Sequence, residues 1–251
     1  MSLLQVRGLT RRFGGIVALE AVDFAVEQGS ISAVIGPNGA GKTTLFNVAS
    51  GFMAPSSGEV VFEERSIAGL KPHRVAASGL VRTFQLVRPF PAMTVAENVR
   101  VGAHLRTRGG ALAALFGQRR QEREVRAGAL ALLDRVGLAE AAERPPASLG
   151  YGQLRLLEIA RALAAGPRLL LLDEPAAGLN HLETDRLAAL IRSLQAEGIT
   201  VLLIEHDMRL VMNLAQHVIV LDFGRKIAEG PPDVVSRDPA VLDAYLGGTD
   251  A

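Results

Sequence analysis

The sequence predicts an α/β protein with a mixed sheet core, a helical subdomain and an N-terminal antiparallel β region. An apolar run at residues 31–35 continues into a glycine-rich loop and a helix, and two later apolar runs, at residues 169–172 and 200–204, continue into acidic residues. Apolar runs of this length are typical of parallel strands that are buried on both faces. Residues 94–165, in contrast, favour helix.

The composition is that of a globular protein of one large domain or two intimate ones. The chain has 251 residues, 49% of them hydrophobic, and a formal net charge of +1. Because this balance provides no overall positive field, no nucleic-acid partner is expected. Cysteine is absent, which excludes disulfides and thiolate metal sites. The sequence lacks the apolar segment of a signal peptide and any run near the roughly 18 apolar residues of a spanning helix, so we expect a soluble chain.

Two segments before the glycine-rich loop predict strands. Residues 3–9 and 21–27 have strand character, and the alternation is strongest at Val22, Phe24 and Val26. Phe13 lies between the two segments. An aromatic ring this close to a glycine-rich loop could stack on the base of a nucleotide, but an isolated Phe is also a common core residue. The residues alone leave both interpretations open.

The glycine-rich loop matches the phosphate-binding pattern GxxxxGK[ST]. It comprises Gly36, Pro37, Asn38, Gly39, Ala40, Gly41, Lys42, Thr43 and Thr44. Its glycines permit a tight loop whose N–H groups converge on one anion, and the following helix adds the positive end of its dipole. Lys42 is expected to contact the outer phosphates, and the Thr43 hydroxyl to ligate Mg²⁺.

The middle of the chain begins with strands at residues 59–62 and 81–84, the second of which ends before Gln85. The amide of Gln85 can reach a metal or its water, although a solvated loop glutamine is the simpler interpretation. The helical region follows, and one of its helices, at residues 127–136, is expected to stop at Gly137. Residues 100–126 contain seven Arg and two Glu. They form either a surface for a membrane partner or an ordinary solvated helix face.

A second glycine-containing segment, at residues 147–153, precedes another helix. The apolar positions of this helix fall on one face and are Leu156, Ile159, Ala160 and Leu163. The segment therefore forms a second helix N-terminus that can receive an anion. Two such sites in one chain favour either two phosphates or one phosphate that is held from both sides of a dimer.

Adjacent carboxylates follow the four leucines at residues 169–172. Neighbouring strand residues point to opposite faces, so Asp173 and Glu174 are expected to have different tasks. Asp173 suits Mg²⁺ binding through water, and Glu174 suits the general base that polarises an attacking water. His206 follows the strand at residues 200–204 and can contact a terminal phosphate there, although a lone His is usually structural.

The end of the chain predicts helix, then strand, then helix. Between the two carboxylates and the strand at residues 200–204, a helix that ends at Gly198 has one apolar side, formed by Leu187, Leu190, Ile191 and Leu194. Residues 218–221 are expected to form the last strand, residues 222–225 a turn, and the remainder two short helices that end near Tyr245.

These features, in this order and over nearly the whole chain, resemble the ATP-binding subunit of an ABC transporter. The resemblance depends on Phe13, the loop at residues 36–44, Gln85, LGYGQ at 149–153, LLLLDEP at 169–175, AGLN at 177–180 and His206. Within that family, the chain is most similar to the ATPase subunits of branched-chain amino acid importers, in the segments RTFQLVRPFPAMTVAENV, LEIARAL, DEPAAGLN, IEHDMRLVM and the ending AYLGG. ATPase subunits that serve urea or lipopolysaccharide transport share much of this sequence, and they are the alternative.

The resemblance implies an ABC ATPase fold in a single domain, with a nucleotide-binding core at about residues 1–85 and 166–251 and a helical subdomain at about 86–165. It implies that Phe13 stacks on adenine, that Lys42 and the loop amides hold the phosphates, and that Glu174 is the base and His206 the γ-phosphate sensor. It places three residues around Mg²⁺: Thr43, Gln85 and Asp173. The glycine motif would complete the ATP site of a second subunit, through Gly150, Tyr151, Gly152 and Gln153.

The same resemblance implies cofactors, partners and location. The cofactors are ATP and Mg²⁺, and the partners are a second ATPase subunit, identical or paralogous, the transmembrane permease subunits and, indirectly, a solute-binding protein. The chain would lie peripherally at the cytoplasmic face of the inner membrane. A soluble ABC ATPase acting on DNA or ribosomes is the rival, which the near-neutral charge disfavours. An ordinary P-loop kinase or GTPase does not account for LGYGQ.

Three residues depart from the family pattern. Gly150 and Tyr151 replace the Ser and the first Gly of the usual LSGGQ, and Asn180 stands where Asp is more common. Without the Ser hydroxyl, a hydrogen bond to the γ-phosphate worth roughly 1.5–3 kcal/mol is missing unless backbone amides replace it.

Overall fold

The N-terminal strands form an antiparallel sheet, as the sequence predicted. The structure is a computed structural model that describes residues 1–84, 88–105 and 118–246. The sheet has the strand order β2-β1-β4-β5. Its strands are β1 (Ser2–Phe13), β2 (Ile16–Glu27), β4 (Ser57–Phe62) and β5 (Arg65–Ser66). The alternation in β2 is confirmed, since Val22, Phe24 and Val26 are all buried.

The central sheet has the strand order β10-β9-β3-β8-β7-β6. Its strands are β3 (Ile31–Ile35), β6 (Leu80–Arg82), β7 (Leu169–Asp173), β8 (Thr200–Ile204), β9 (His217–Asp222) and β10 (Arg225–Gly230). The five strands from β9 to β6 are parallel, and β10 pairs antiparallel with β9, so the predicted mixed sheet is confirmed.

The prediction that the strand at residues 218–221 is the last one was wrong. The chain turns at residues 223 and 224 and returns as β10, which pairs with β9 from Arg225 to Gly230. The sequence of β10 is RKIAEG, and most of its residues are half-buried or exposed. Such a segment has no apolar run, because backbone pairing at the sheet edge holds it rather than burial of both faces.

Helices lie in most of the connections that follow β3, and two more follow the last strand. They are α1 (Lys42–Ala49), α2 (Pro72–Ala77), α3 (Val95–Gly102), α4 (Gln118–Arg135), α5 (Tyr151–Ala164), α6 (His181–Ala196), α7 (Met208–Leu214), α8 (Pro232–Val235) and α9 (Pro239–Leu246). The helix predicted at residues 127–136 is part of α4, which ends just before Gly137, where φ is 74°. Within the described ranges, none of these helices combines the length and the apolar character that crossing a membrane requires.

Alternate residues of the central strands enter two separate cores. Val34, Leu171 and Leu202 face a core shared with α1 and the antiparallel sheet. Ala33, Leu170 and Leu203 face the other core, shared with α3 to α7. Because both faces of the sheet are covered, polar groups that follow β3, β6, β7 and β8 gather at its carboxyl edge, where ligands bind in open α/β sheets.

Candidate functional site

The glycine-rich loop connects β3 to α1 at this carboxyl edge. Gly36 and Gly41 have φ angles of 150° and 101°. A Cβ atom would lie 2.0 Å from the carbonyl oxygen of Leu221 at the first position and 2.6 Å from that of Ala18 at the second. Only glycine fits both positions, so the neighbouring strands fix the shape of the loop. Asn38, Gly39 and Thr43 are exposed, Pro37 and Thr44 are half-buried, and Ala40 is buried.

Lys42 lies inside this loop. Its side chain is almost buried, and Nζ donates hydrogen bonds to the carbonyl oxygens of Gly36 at 2.7 Å and Pro37 at 2.9 Å. Burial lowers the pKa of Lys42 because it removes the ammonium from water, and the nearby charges of Glu174 and Asp173 oppose this effect. The ammonium therefore bridges two carbonyl groups of the loop, and the charges of Glu174 and Asp173 act on it.

Asp173 and Thr43 are two of the three predicted metal ligands, and they line the same cavity. Asp173 is 3% exposed, and the cavity has a volume of about 710 Å³. No group of three or more His, Asp or Glu that could hold a metal occurs among residues 1–84, 88–105 and 118–246. Mg²⁺ is usually bound by one or two carboxylates together with substrate phosphates and water, and seldom by protein ligands alone. The carboxylate of Asp173 and the hydroxyl of Thr43 therefore fit a Mg²⁺ ion that also binds the phosphates of a substrate. The third predicted ligand, Gln85, lies outside the described residues.

Glu174 follows β7 and His206 follows β8, and their side chains lie close together. Oε2 of Glu174 lies 3.8 Å from Nδ1 of His206, whose side chain is 63% exposed. Glu174 has a φ of 46°, and its N–H donates to the carbonyl of Ile204 at the end of β8. A left-handed conformation at a non-glycine residue is uncommon and is often found at active sites. Asp173 ends β7, whereas Glu174 lies beyond it, so the left-handed backbone and not strand alternation sets the direction of Glu174. Their different tasks stay a prediction.

Glu205 is a buried carboxylate whose importance the sequence analysis missed. It is 0% exposed, Oε1 accepts from the N–H of Ala176 at 2.8 Å, and Oε2 accepts from those of His206 and Asp207 at 3.1 and 3.4 Å. Burial raises the pKa of Glu205, and the three N–H donors oppose this effect. The side chain therefore ties the loop after Glu174 to the loop that carries His206.

Glu205→Gln should loosen these two loops. The amide group of Gln places a donor against backbone N–H groups, and an unmet buried donor costs about 1–3 kcal/mol. We expect amide hydrogen exchange at Ala176, His206 and Asp207 to accelerate by about tenfold or more, since about 1.4 kcal/mol corresponds to a factor of ten. Exchange at Val6 in β1, which belongs to the antiparallel sheet, serves as the internal reference. Unchanged protection of the three amides would refute this role of Glu205.

Phe13 ends β1 and is 41% exposed. Of the two interpretations that the sequence left open, exposure excludes the core one. The guanidinium carbon of Arg11 lies 4.7 Å from the centroid of the Phe13 ring. The ring is therefore available at the surface, and stacking on a base stays a prediction.

The glycine motif lies at the start of α5 and packs on the segment that follows Glu174. The N–H of Gly150 donates to Oε1 of Gln153 at 3.1 Å. The hydroxyl of Tyr151 accepts from Arg155 at 3.0 Å, and its ring leaves no space for a side chain at Gly178, where a Cβ would lie 2.8 Å from it. A Cβ at Gly152 would meet the Glu183 carboxylate at 2.6 Å.

Asn180 has a local structural role. Its side chain accepts from the N–H of Glu183 at 3.0 Å, and Glu183 accepts from the N–H of Asn180 at 2.9 Å. This reciprocal pair is a capping box at the start of α6. Since Asn caps helices about as well as Asp, the departure from the family pattern costs little in the structure of this loop.

The sequence analysis also missed a buried ion pair on α5 that holds the segment leading to Gln85. The N–H of Phe84 donates to Oε1 of Glu158 at 2.9 Å, and its carbonyl accepts from Arg155 at 3.0 Å. Burial raises the pKa of Glu158, opposed by the Phe84 N–H and by Arg161 and Arg155. The helix of the glycine motif and the strand before Gln85 are therefore joined through both backbone groups of one residue.

Comparison with known families agrees with this arrangement. The family model described as "ABC transporter" matches residues 19–177, and a second, described as "Branched-chain amino acid ATP-binding cassette transporter", matches residues 225–251. The chain is 48% identical over 249 residues to the high-affinity branched-chain amino acid transport ATP-binding protein BraF of Pseudomonas aeruginosa, and the match covers 98% of each chain.

Solved structures give the same result. One is the ADP conformation of an ATP-binding cassette of an ABC transporter, with 35% identity, a TM-score of 0.86 and coverage of 98% of this chain and 99% of that one. Another is the dimeric post-hydrolysis state of an ATP-binding cassette bound to ADP and Pi, with 26% identity, a TM-score of 0.78 and coverage of 91% and 98%.

Proposed function

Because this chain belongs to the ABC transporter family and is one of its ATP-hydrolysing cassettes, we propose that it drives the import of branched-chain amino acids through a separate membrane permease. The observation that supports this cargo is the full-length similarity to BraF, together with the second family match at residues 225–251. Import of urea or transport of lipopolysaccharide is the alternative, since the cargo contacts would lie on other chains.

We propose the catalytic roles from the contacts of the site and from the family to which the chain belongs. Lys42 and the loop amides bind the phosphates, since Lys42 begins α1 and its ammonium lies inside the loop. Glu174 is the general base, and His206, 3.8 Å from it, contacts the terminal phosphate. Phe13 stacks on the adenine. Thr43, Gln85 and Asp173 hold Mg²⁺, which neutralises phosphate charge when it is bound.

Two chains are required for a complete site. The loop at residues 36–44 and the glycine motif at residues 150–153 are both anion-binding helix starts, at α1 and α5. We infer that each motif completes the ATP site of the other subunit, identical or paralogous. The dimeric relative bound to ADP and Pi supports this arrangement.

We place the permease contact on the loop after Gln85, together with the helical region up to Arg126. That region belongs to a helical subdomain at about residues 86–165, beside a nucleotide-binding core at about residues 1–85 and 166–251. We further propose that the chain is a peripheral subunit at the cytoplasmic face of the membrane, because it belongs to a transporter family. Within the predicted basic segment, Arg100 pairs with Glu122 at 3.1 Å and Arg126 with Glu143 at 3.0 Å. Residues 106–117 of the segment lie outside the described ranges.

Reconstitution tests the proposed function. The chain is combined in lipid vesicles with candidate permeases and their solute-binding proteins, and ATP hydrolysis is measured with each solute. We expect leucine, isoleucine or valine to stimulate hydrolysis. Stimulation only by urea or by lipopolysaccharide would select the alternative, and control of turnover by DNA or ribosomes instead would refute a transport role.

Gly150→Ser is expected to tighten the ATP-bound dimer. The position has room, since the nearest atom to a Cβ would be Oε1 of Gln153 at 3.9 Å. The added hydroxyl can supply a hydrogen bond to the γ-phosphate that is worth roughly 1.5–3 kcal/mol. Light scattering in a hydrolysis-deficient background measures the dimer. An unchanged dimerisation constant would contradict this prediction.

A further inference from the structure

A buried guanidinium lies between α1 and the end of β7. The side chains of Arg82 and Asp173 are each 4% exposed, and Nη2 of Arg82 lies 2.8 Å from Oδ2 of Asp173. On its other arm, Nη1 donates to Asn47 Oδ1 at 2.8 Å and to Ser50 Oγ at 3.1 Å. One side chain therefore joins the helix of the phosphate loop to the carboxylate that ends β7.

Aromatic rings enclose this guanidinium. Its carbon lies 5.6 Å from the ring centroid of Phe46, 6.0 Å from that of Phe52 and 5.5 Å from that of Phe84. Arg82 Nε is buried and has no hydrogen-bond partner in the described part of the chain. Burying a cation with an unsatisfied donor is unfavourable for stability, and apolar residues often replace buried ion pairs without loss. The arrangement therefore points to a role other than stability.

We propose that Arg82 is a positioning residue for the metal-binding carboxylate, which it holds in one orientation by engaging Oδ2. The inference rests on the proposed function, in which Thr43 and Asp173 hold Mg²⁺. Thr43, Arg82 and Asp173 line the same cavity. Groups that hydrogen-bond to a metal ligand orient it and typically change metal affinity by about 10–100-fold when they are removed.

The two arms of arginine explain why this residue type is needed. Thr43 lies on α1 one turn before Asn47, so the bond to Asn47 sets the helix that carries one metal ligand, while the bond to Asp173 sets the other. A planar guanidinium can make both bonds at once, whereas the ammonium of lysine is a single point charge on a flexible stem. Arg82 thus fixes the spacing of the two ligands as well as the orientation of one.

Calorimetric binding of ADP tests the proposal without turnover. Affinity is measured in EDTA and at rising Mg²⁺ for the wild type, Arg82→Met and Arg82→Lys. The readout is the Mg²⁺ concentration at which half of the Mg²⁺-dependent gain in ADP affinity is reached. In Arg82→Met, we expect this concentration to rise about 10–100-fold, while the ADP affinity in EDTA changes little. Arg82→Lys should show a smaller rise, because its ammonium can still reach Asp173 but cannot hold Asn47 at the same time, and it provides a second test if the Met variant does not fold.

Arg168→Met is the matched control, since Arg168 also pairs with a carboxylate, Glu63, and also lies over an aromatic ring, Phe62, but it precedes β7 at the end opposite to Asp173. Its Mg²⁺ requirement should equal that of the wild type. An equal rise in this control, an equal loss of ADP affinity with and without Mg²⁺ in the Arg82 variants, or a lower Mg²⁺ requirement in Arg82→Met would each overturn the proposal. Failure of the wild type to bind ADP would instead refute the proposed function.

Discussion

Glu174→Gln is expected to lower ATP turnover by about 10²–10⁴-fold, the usual contribution of a general base, while ATP still binds. Gln has nearly the same size and keeps an oxygen that can face His206, which lies 3.8 Å from Glu174 Oε2 in the native chain. It cannot accept a proton from the attacking water. Phosphate release at saturating ATP measures the effect. Glu59→Gln, on an exposed carboxylate of β4, is the matched control and should retain full turnover.

Glu174→Gln should also accumulate as an ATP-bound dimer, because ATP hydrolysis, which reopens the dimer, is blocked. Light scattering with ATP, with ADP and without nucleotide measures the oligomeric state, and we expect the dimer only with ATP. Ordinary hydrolysis by Glu174→Gln would remove this residue from the role of base. A wild-type monomer that keeps full turnover at any dilution would contradict the shared site.

The parts of the fold that the sequence predicted well are those buried on both faces. The strands at residues 31–35 and 200–204 have the predicted bounds, since every residue in them is buried and apolar runs mark them clearly. β10 was missed because it lies at the edge of the sheet. α2 and α7 were missed as well, and with six and seven residues they are too short for a helical period to stand out.

The residues of the site also divide into those that the sequence predicted and those that it did not. A common location could be predicted for Lys42, Asp173, Glu174 and His206, because each lies at or after the end of a buried strand, and the carboxyl ends of parallel strands share one edge. Arg82 could not be recognised, because its partner Asp173 is 91 residues away and a buried Arg looks like an exposed one in the sequence. Glu205 gave a weak signal, a carboxylate directly after a buried strand, but its bond to Ala176 depends on strand order.

Lys42→Ala should abolish ATP binding at ordinary concentrations. Each hydrogen bond to a charged phosphate is worth about 1.5–3 kcal/mol, so loss of two lowers affinity about a hundredfold or more. The folded chain should lose little stability, because burial of the ammonium is itself unfavourable, as the lowered pKa of Lys42 indicates. Calorimetry with ATP measures the binding, and urea unfolding of the nucleotide-free variant verifies the fold.

Lys42→Arg separates charge from shape. The ammonium fits between the carbonyls of Gly36 and Pro37, at 2.7 and 2.9 Å, and the side chain is almost buried. A guanidinium carries the same charge on a wider plane, so it cannot occupy this space without opening the loop. We therefore expect Lys42→Arg to bind ATP nearly as poorly as Lys42→Ala. Wild-type affinity in Lys42→Arg would mean that the charge alone holds the phosphates, and that the close fit of the ammonium to the two carbonyls has no part in binding.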